Sequence, residues 1–278
     1  MADSKQQTGS ETTLVLGGTG KTGRRVAQRL VARGLPTRIG SRSGQPPFDW
    51  EDRATWGPVL QGVGAVYVTY FPDLAFPGAT ERVSAFVNLA VREGVRRLVL
   101  LAGRGEPAAQ AAEQAVRNSG TDWTIIRANW FAQNFSEPPL LDAVMSGEIA
   151  LPAGAAVEPF VDAEDVAAVA AAALTGDAHA GQIYELSGPR LLTFDDVAAE
   201  ISKAANREVR YVPITADECK KALAEQGRPT EFADLFEHIL DGRNANLTDG
   251  VRRALGRAPR DFSDFARVAA TTGVWRES

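Results

Sequence analysis

Seven residues, Gly17-Gly18-Thr19-Gly20-Lys21-Thr22-Gly23, leave this chain few folds to choose from. They follow a short β-branched and apolar run at 12–16 and open a helical pattern over about 21–33, with Val26, Leu30 and Val31 on its buried side. A glycine-rich turn between a strand and a helix is the setting in which backbone N–H groups hold a pyrophosphate. In that reading Gly17 permits the tight turn, Gly20 lets the backbone approach the phosphates, and Gly23 lets helix and strand pack closely. Thr19, Lys21 and Thr22 complete the phosphate-facing set. The triplet Gly20-Lys21-Thr22 also matches the end of a nucleoside triphosphatase loop, but that motif needs a glycine five positions earlier, where Val15 stands.

Further strand patterns lie at 37–40, 65–69, 97–101 and 123–127, separated by helical patterns at about 55–61, 80–93 and 107–118, with Gly94 and Gly120 closing the last two. Strands that alternate with helices of this length require crossovers, and so a mostly parallel sheet covered on both faces. The expected fold class is α/β, a Rossmann-type doubly wound sheet with a smaller, mainly helical C-terminal lobe. After Asn129 the rhythm changes, with a short helix at 138–146, a strand at 157–161, an alanine-rich helix at 164–175 and a strand at 183–186. Thr193 or Asp195 caps a helix running to about 206, a strand at 209–212 ends at Pro213, and most of 216–270 reads as interrupted helix. The expected division is a dinucleotide-binding domain over 12–190, with 130–165 contributing to the cleft, and a substrate-binding lobe over 191–278. Residues 1–11 are polar and predict a disordered lead-in.

The formal charge is −5, from 30 Lys and Arg against 35 Asp and Glu, which argues against nucleic acid as the main partner. A single cysteine, Cys219, rules out an intrachain disulfide, and no apolar run approaches the ~20 residues that span a bilayer. A cytoplasmic protein with a small-molecule substrate is expected, as a monomer or a homodimer. His179 and His238 lie far apart with no supporting cluster, so no metal site is expected.

An NAD-selective site places Asp or Glu at the end of the second strand to bind the ribose hydroxyls. This chain has Gly40-Ser41-Arg42-Ser43 there. Arg42 can hold a 2′-phosphate bidentately while Ser41 donates a hydrogen bond, which favours NADPH/NADP. Asp49 and Trp50 can flank the adenine, although Trp50 serves equally well in packing. Thr69 and Tyr70 end the third strand and face the central ribose or the nicotinamide, and Ala102 and Gly103 end the fourth.

These residues resemble the atypical short-chain dehydrogenases, specifically the NmrA-like branch with bacterial relatives of agroclavine and festuclavine dehydrogenases. The resemblance rests on Gly17 to Arg24, Ser41-Arg42 with Phe48-Asp49-Trp50, the run Gly94 to Val99, the run Trp123 to Arg127 leading to Asn129 and Asn134, and Phe160-Val161-Asp162 with Asp165-Val166-Ala167. It implies an NADP-dependent fold that holds substrate between the cofactor domain and the C-terminal lobe. The wider family includes quinone reductases, reductases of iminium or enone groups, and sensors that bind the dinucleotide without turnover.

One departure matters. Where a short-chain dehydrogenase carries Tyr and, four residues on, Lys, the stretch 103–113 has neither, and Ala102 and Gly103 replace the family serine. A ketone reductase of the usual kind is therefore not expected. Two readings stand: hydride delivery to an iminium, quinone or activated enone, or a redox sensor without catalysis. The candidate catalytic residues are Tyr70, Arg104 and Glu106, and the candidate substrate contacts are Asn129, Trp130, Phe131, Asn134 and Phe160. Bland roles stand beside these: Trp130 and Phe131 as core, Asn134 as a turn cap, and Arg104 paired with Glu106 at the surface.

Overall fold

The computed structural model describes residues 11–276; the expectation for residues 1–10 lies outside them. The chain begins β1 (Thr12–Leu16), α1 (Gly23–Ala32), β2 (Thr37–Gly40), α2 (Trp56–Leu60), β3 (Val63–Val68), α3 (Ala79–Arg92), β4 (Arg97–Gly103), α4 (Gln110–Arg117) and β5 (Asp122–Ala128). It continues through α5 (Leu141–Ser146), β6 (Glu148–Leu151), β7 (Val157–Glu158), α6 (Ala163–Thr175), β8 (Gln182–Leu186), β9 (Leu192–Thr193), α7 (Phe194–Ala205), β10 (Arg210–Pro213), α8 (Ala216–Glu225), α9 (Glu231–Ile239), α10 (Gly250–Leu255) and α11 (Phe262–Thr271).

Six strands form one parallel sheet in the order β2-β1-β3-β4-β5-β8, so the chain reverses its winding direction between β1 and β3. The strands are short and apolar because both faces are covered. On one face Leu14, Leu16, Val66, Val68, Leu98 and Leu100 pack against α2, α3 and α4. On the other, Val15, Tyr67, Val99 and Ile126 meet α1 and the alanine-rich α6, whose small side chains let it lie close to the sheet. The expected Rossmann-type fold is what the chain adopts.

A third core draws on two separate stretches of sequence. Trp130, Phe135, Leu140, Val144, Ile149 and Phe160 pack with Phe194, Ile201, Tyr211, Phe236, Phe262 and Trp275. Holding those stretches together is a parallel pairing of β6 with β10, from Glu148↔Arg210 to Leu151↔Pro213. The sequence pattern misses β6, because four residues flanked by Gly147 and Pro152 carry too little alternation to read. It also overextends the strand at 157–161: only Val157–Glu158 forms a ladder, antiparallel to β9, while Val161 bridges Phe131.

Helix starts follow their capping chemistry. Thr193, not Asp195, caps α7, in a reciprocal box with Asp196, and Thr215 and Glu218 repeat the device at α8. Asp162 caps α6. Asp165, fully buried, instead accepts from Arg257 at 2.6 Å and from the Arg260 amide at 2.7 Å, tying the C-terminal segment to α6.

Candidate cofactor and substrate site

The glycine turn takes its shape from contacts that tolerate no side chain at two positions. A Cβ on Gly23 would sit 2.2 Å from the Gly17 carbonyl oxygen, so the helix can start against the turn only without one. Gly17 itself has φ +59°, and a Cβ there would stand 2.8 Å from Thr69 Cγ2. The turn closes with the Gly20 amide donating to the Gly17 carbonyl at 2.8 Å and the Arg24 amide to that of Gly20 at 3.1 Å. No side chain caps α1, unlike α6, α7, α8 and α11. Thr22, at the cap position, accepts a hydrogen bond from the Tyr67 hydroxyl at 3.1 Å. With no side chain over it, the start of this ten-residue helix is open to an anion, which is what a dinucleotide pyrophosphate requires. Thr19 and Gly20 are exposed at the same place.

Lys21 leaves the turn and crosses to the segment after β5. Its ammonium donates to Asn134 Oδ1 and, at 3.0 Å, to the Pro138 carbonyl, and lies 5.9 Å from the centre of the Phe131 ring. Burial lowers its pKa to about 8, against the opposing pull of Glu137. Arg24 and Arg25 both pair with that same Glu137, at 2.6 and 2.8 Å. Three of the predicted residues, Lys21, Phe131 and Asn134, are thereby brought together.

At the end of β2, Arg42 is exposed and has no ion-pair partner among the described residues; Ser41 and Ser43 lie beside it with their hydroxyls 3.4 Å apart. The nearby Arg38 is spent on the Val59 and Gln61 carbonyls. Asp49 builds a turn: its carboxylate accepts from the Glu51 amide and its carbonyl from the Trp56 indole. Trp50 is only 9% exposed, stacked among Phe48, Trp56, Tyr70 and Phe86, with its indole N–H on the Thr69 carbonyl. Packing is its role here. Tyr70 belongs to the same aromatic cluster, and its hydroxyl is engaged by Arg82.

Arg104 needs correction as a substrate-orienting residue. It is buried and does not pair with Glu106; instead it donates to Glu185 at 3.1 Å, Asn129 at 3.1 Å, the Asn244 carbonyl at 3.4 Å and the Asn246 carbonyl at 2.9 Å. Its Nε and Nη1 donors pin the segment after α9 across the ends of β4 and β5. Asn129 is held in turn between Arg104 and Glu158, donating to Glu158 Oε2 at 3.0 Å. Phe160, 2% exposed, is edge-on to Phe135, Phe194 and Phe262, which makes it core and not cleft wall. Trp130 packs against Phe194 and Phe236, although its buried indole N–H has no partner.

Glu106 follows β4, and its carboxyl lies against Gly103, where an added Cβ would be 1.8 Å from Oε1. The missing side chain at Gly103, behind buried Ala102, makes room for an acid. Burial first, then the charge of Asp73 and a hydrogen bond between the two carboxyls, raises Glu106 to about 9. Burial raises Asp73 too, while the Ala75 amide, 2.8 Å away, opposes. Sequence reading missed Asp73, because nothing local shows that the loop after β3 folds back onto the end of β4.

Glu158 is fully buried, its Oε1 has no partner, and burial raises it to about 7 against the help of Asn129 and Arg104. For Glu158 and Glu106 the folded protein binds protons more tightly than the unfolded chain, whose value is 4.5. The stability that follows is complete below pH 4.5 and lost as pH rises through about 7 for Glu158 and about 9 for Glu106. Melting temperature is expected to fall between pH 5 and 9, with Glu158→Gln flattening the lower part of that slope; a variant that melts with the unaltered profile would contradict the assignment.

Comparison with known proteins agrees with the geometry. A profile of the NmrA-like family matches residues 110–265, and an NAD(P)H-binding profile matches 17–177. Agroclavine dehydrogenase of Claviceps fusiformis is 32% identical, over 95% of this chain and 98% of its own. This chain belongs to the NmrA-like family of NAD(P)H-binding oxidoreductases. A second relative of this NmrA-like protein, the (4-alkanoyl-5-oxo-2,5-dihydrofuran-3-yl)methyl phosphate reductase of Streptomyces griseus, is 34% identical over 91% of this chain and 96% of its own. Among solved structures, the Citrobacter triphenylmethane reductase complexed with NADP(H) superimposes with a TM-score of 0.72, at 20% identity, over 94% of this chain and 99% of that one, a likeness of fold. No described helix of the NmrA-like chain is long and apolar enough to cross a membrane.

Proposed function

We propose that the protein is an NADPH-dependent reductase that delivers hydride to an iminium, quinone or activated enone carbon of a small planar metabolite. The observation that carries this reading is the end of β4: Ala102 and Gly103 stand where a hydroxyl relay would, and the Glu106 carboxyl is packed against Gly103. Two related proteins bear names consistent with it. One is named for the dehydrogenation of agroclavine, and the Streptomyces enzyme's name describes a ring double bond conjugated with carbonyl groups.

The residues divide the work along the carboxyl edge of the sheet. Gly17, Gly20 and the uncapped amides of α1 would hold the pyrophosphate, and Arg42 with Ser41 the 2′-phosphate. The bound nicotinamide supplies hydride. Lys21, Phe131 and Asn134 line the approach from the segment after β5, and the Arg104 network fixes the segment that covers the ends of β4 and β5, limiting water there. An acceptor already polarised toward a cation or an enolate needs orientation more than strong acid catalysis.

The test is consumption of NADPH, followed at the nicotinamide absorbance band, by the purified protein with a panel of iminium, quinone and enone acceptors. Turnover above the buffer rate is expected for at least one class, and its absence for all three would reject the reductase reading. For the cofactor choice, Arg42→Ala is expected to weaken NADPH by about 1.5–3 kcal/mol, the worth of a hydrogen bond to a charged group, and to leave NADH nearly unchanged. Equal losses measured by calorimetry would remove Arg42 from the phosphate site.

A further inference from the structure

We infer that Lys21 links the cofactor to the loop after β5: its ammonium, already bound to Asn134 and Pro138, gives its remaining N–H to the dinucleotide pyrophosphate, so that cofactor binding fixes residues 134–140 against α1. The inference rests on dinucleotide binding and, from the reductase reading above, on the place of Phe131 and Asn134 beside the substrate.

Charge is the first argument. The positive end of a helix dipole favours acidic side chains, yet the first turn of α1 carries two arginines and no acid, with Lys21 just ahead of it. Facing them are two carboxylates. Glu137 is shared by Arg24 and Arg25, and Glu164 by Arg25 and Arg29, at 2.6 to 2.9 Å. Lys21 has no carboxylate within ion-pair distance among the described residues, and both its acceptors, an amide oxygen and a backbone carbonyl, are neutral. Four cations thus stand against two anions. The surplus suits a dinucleotide pyrophosphate, which carries one negative charge on each phosphate.

Reach is the second argument. The Lys21 carbonyl accepts from Arg25 Nη1 at 2.7 Å, which fixes the point from which the side chain leaves. An ammonium has three N–H donors, and Asn134 Oδ1 and the Pro138 carbonyl take two of them. The anion held by the adjacent glycine turn is the one to take the third. On the far side, Gln133 is anchored to Asp162, the Phe135 carbonyl to Trp275, and Leu140 in the outer core. Residues 137 and 138 between them are different: among the described residues their hydrogen bonds and ion pairs run to Lys21, Arg24 and Arg25.

A dinucleotide that engages Lys21 therefore stiffens this loop, and with it Asn134 beside Phe131, whose ring centre lies 5.9 Å from the ammonium. The wall is prepared before the acceptor arrives, and by linkage the acceptor tightens cofactor binding by the same factor. NADH and NADPH act alike here because they share the pyrophosphate, which separates the effect from any role of Arg42.

Hydrogen–deuterium exchange on the full-length protein, with Lys21→Met for comparison, tests the link without turnover. Saturating NADPH or NADH should slow exchange at the Ser136, Glu137 and Leu140 amides by roughly ten-fold in the parent and leave it unchanged in Lys21→Met, while the glycine-turn amides are protected in both. Unaltered exchange in β3 and β4 shows that the variant is folded. A second readout separates the link from a simple tether. Burial lowers the Lys21 pKa to about 8, Glu137 raising it and Arg25 and Arg24 lowering it, and a bound pyrophosphate would raise it again. Calorimetry at pH 8, in buffers of different ionisation enthalpy, should show uptake of about half a proton when the parent binds NADPH and none with Lys21→Met. No protection of 136–140 in the parent, equal protection in the variant, or the same proton uptake by both would overturn the link. Failure of every acceptor to oxidise NADPH would reject the reductase reading and leave these binding results standing.

Discussion

Gly23→Ala is expected to raise the NADPH dissociation constant by on the order of 100-fold, a loss of about 2.7 kcal/mol. The added methyl would stand 2.2 Å from the Gly17 carbonyl oxygen and 2.7 Å from its carbon, both backbone atoms with no rotamer through which to escape. Either the helix backs away from β1 or the turn opens, and each movement displaces the amides meant for the pyrophosphate. Overpacking of this kind also costs about 1–3 kcal/mol of stability. Gly57→Ala is the control, because a Cβ at Gly57 meets nothing within 4 Å. Calorimetric titration of both variants decides the matter: equal affinities would mean that the close approach at Gly23 has no part in cofactor binding.

Arg104→Met is expected to destabilise the fold by about 3 kcal/mol, the scale for leaving buried hydrogen-bond acceptors without a donor. Methionine keeps much of the volume and removes every donor. The substitution strands Asn129, the Asn244 and Asn246 carbonyls, and one oxygen of Glu185. For a chain of this size the melting temperature should drop by on the order of 10 °C. Because the pinned segment covers the ends of β4 and β5, amide exchange at 244–248 should quicken more than exchange in β1 or β3. Uniform acceleration throughout the sheet would show that Arg104 supports the whole fold and not this cover.

How much of this was legible beforehand depended on whether the information was local. The glycine turn was readable because each glycine answers a steric demand set by residues a few positions away, as Gly23 does against Gly17. The sheet was readable because strands such as Val63–Val68 and Arg97–Gly103 are apolar and closed by glycine-ended helices. Arg104 and Phe160 were misread because their partners, Asn246 and Phe262, are supplied by the chain about a hundred residues or more away. Trp50 misled differently: an aromatic beside a cofactor strand fits adenine stacking and core packing equally well until its neighbours are known. Asp73 carried no signal at all, since an aspartate after Phe71-Pro72 reads as a solvated turn.

The pairing of β6 with β10 reaches beyond the fold itself. Residues 130–160 and 192–275 fill one core, while the strand and helix between them, β8 and α6, fill another. A protein so interlaced cannot exchange its outer lobe with a relative's through one crossover in the gene. Either half of such a hybrid would meet an interior shaped for someone else's side chains. A change in one stretch of that core must therefore be met by a change in the other.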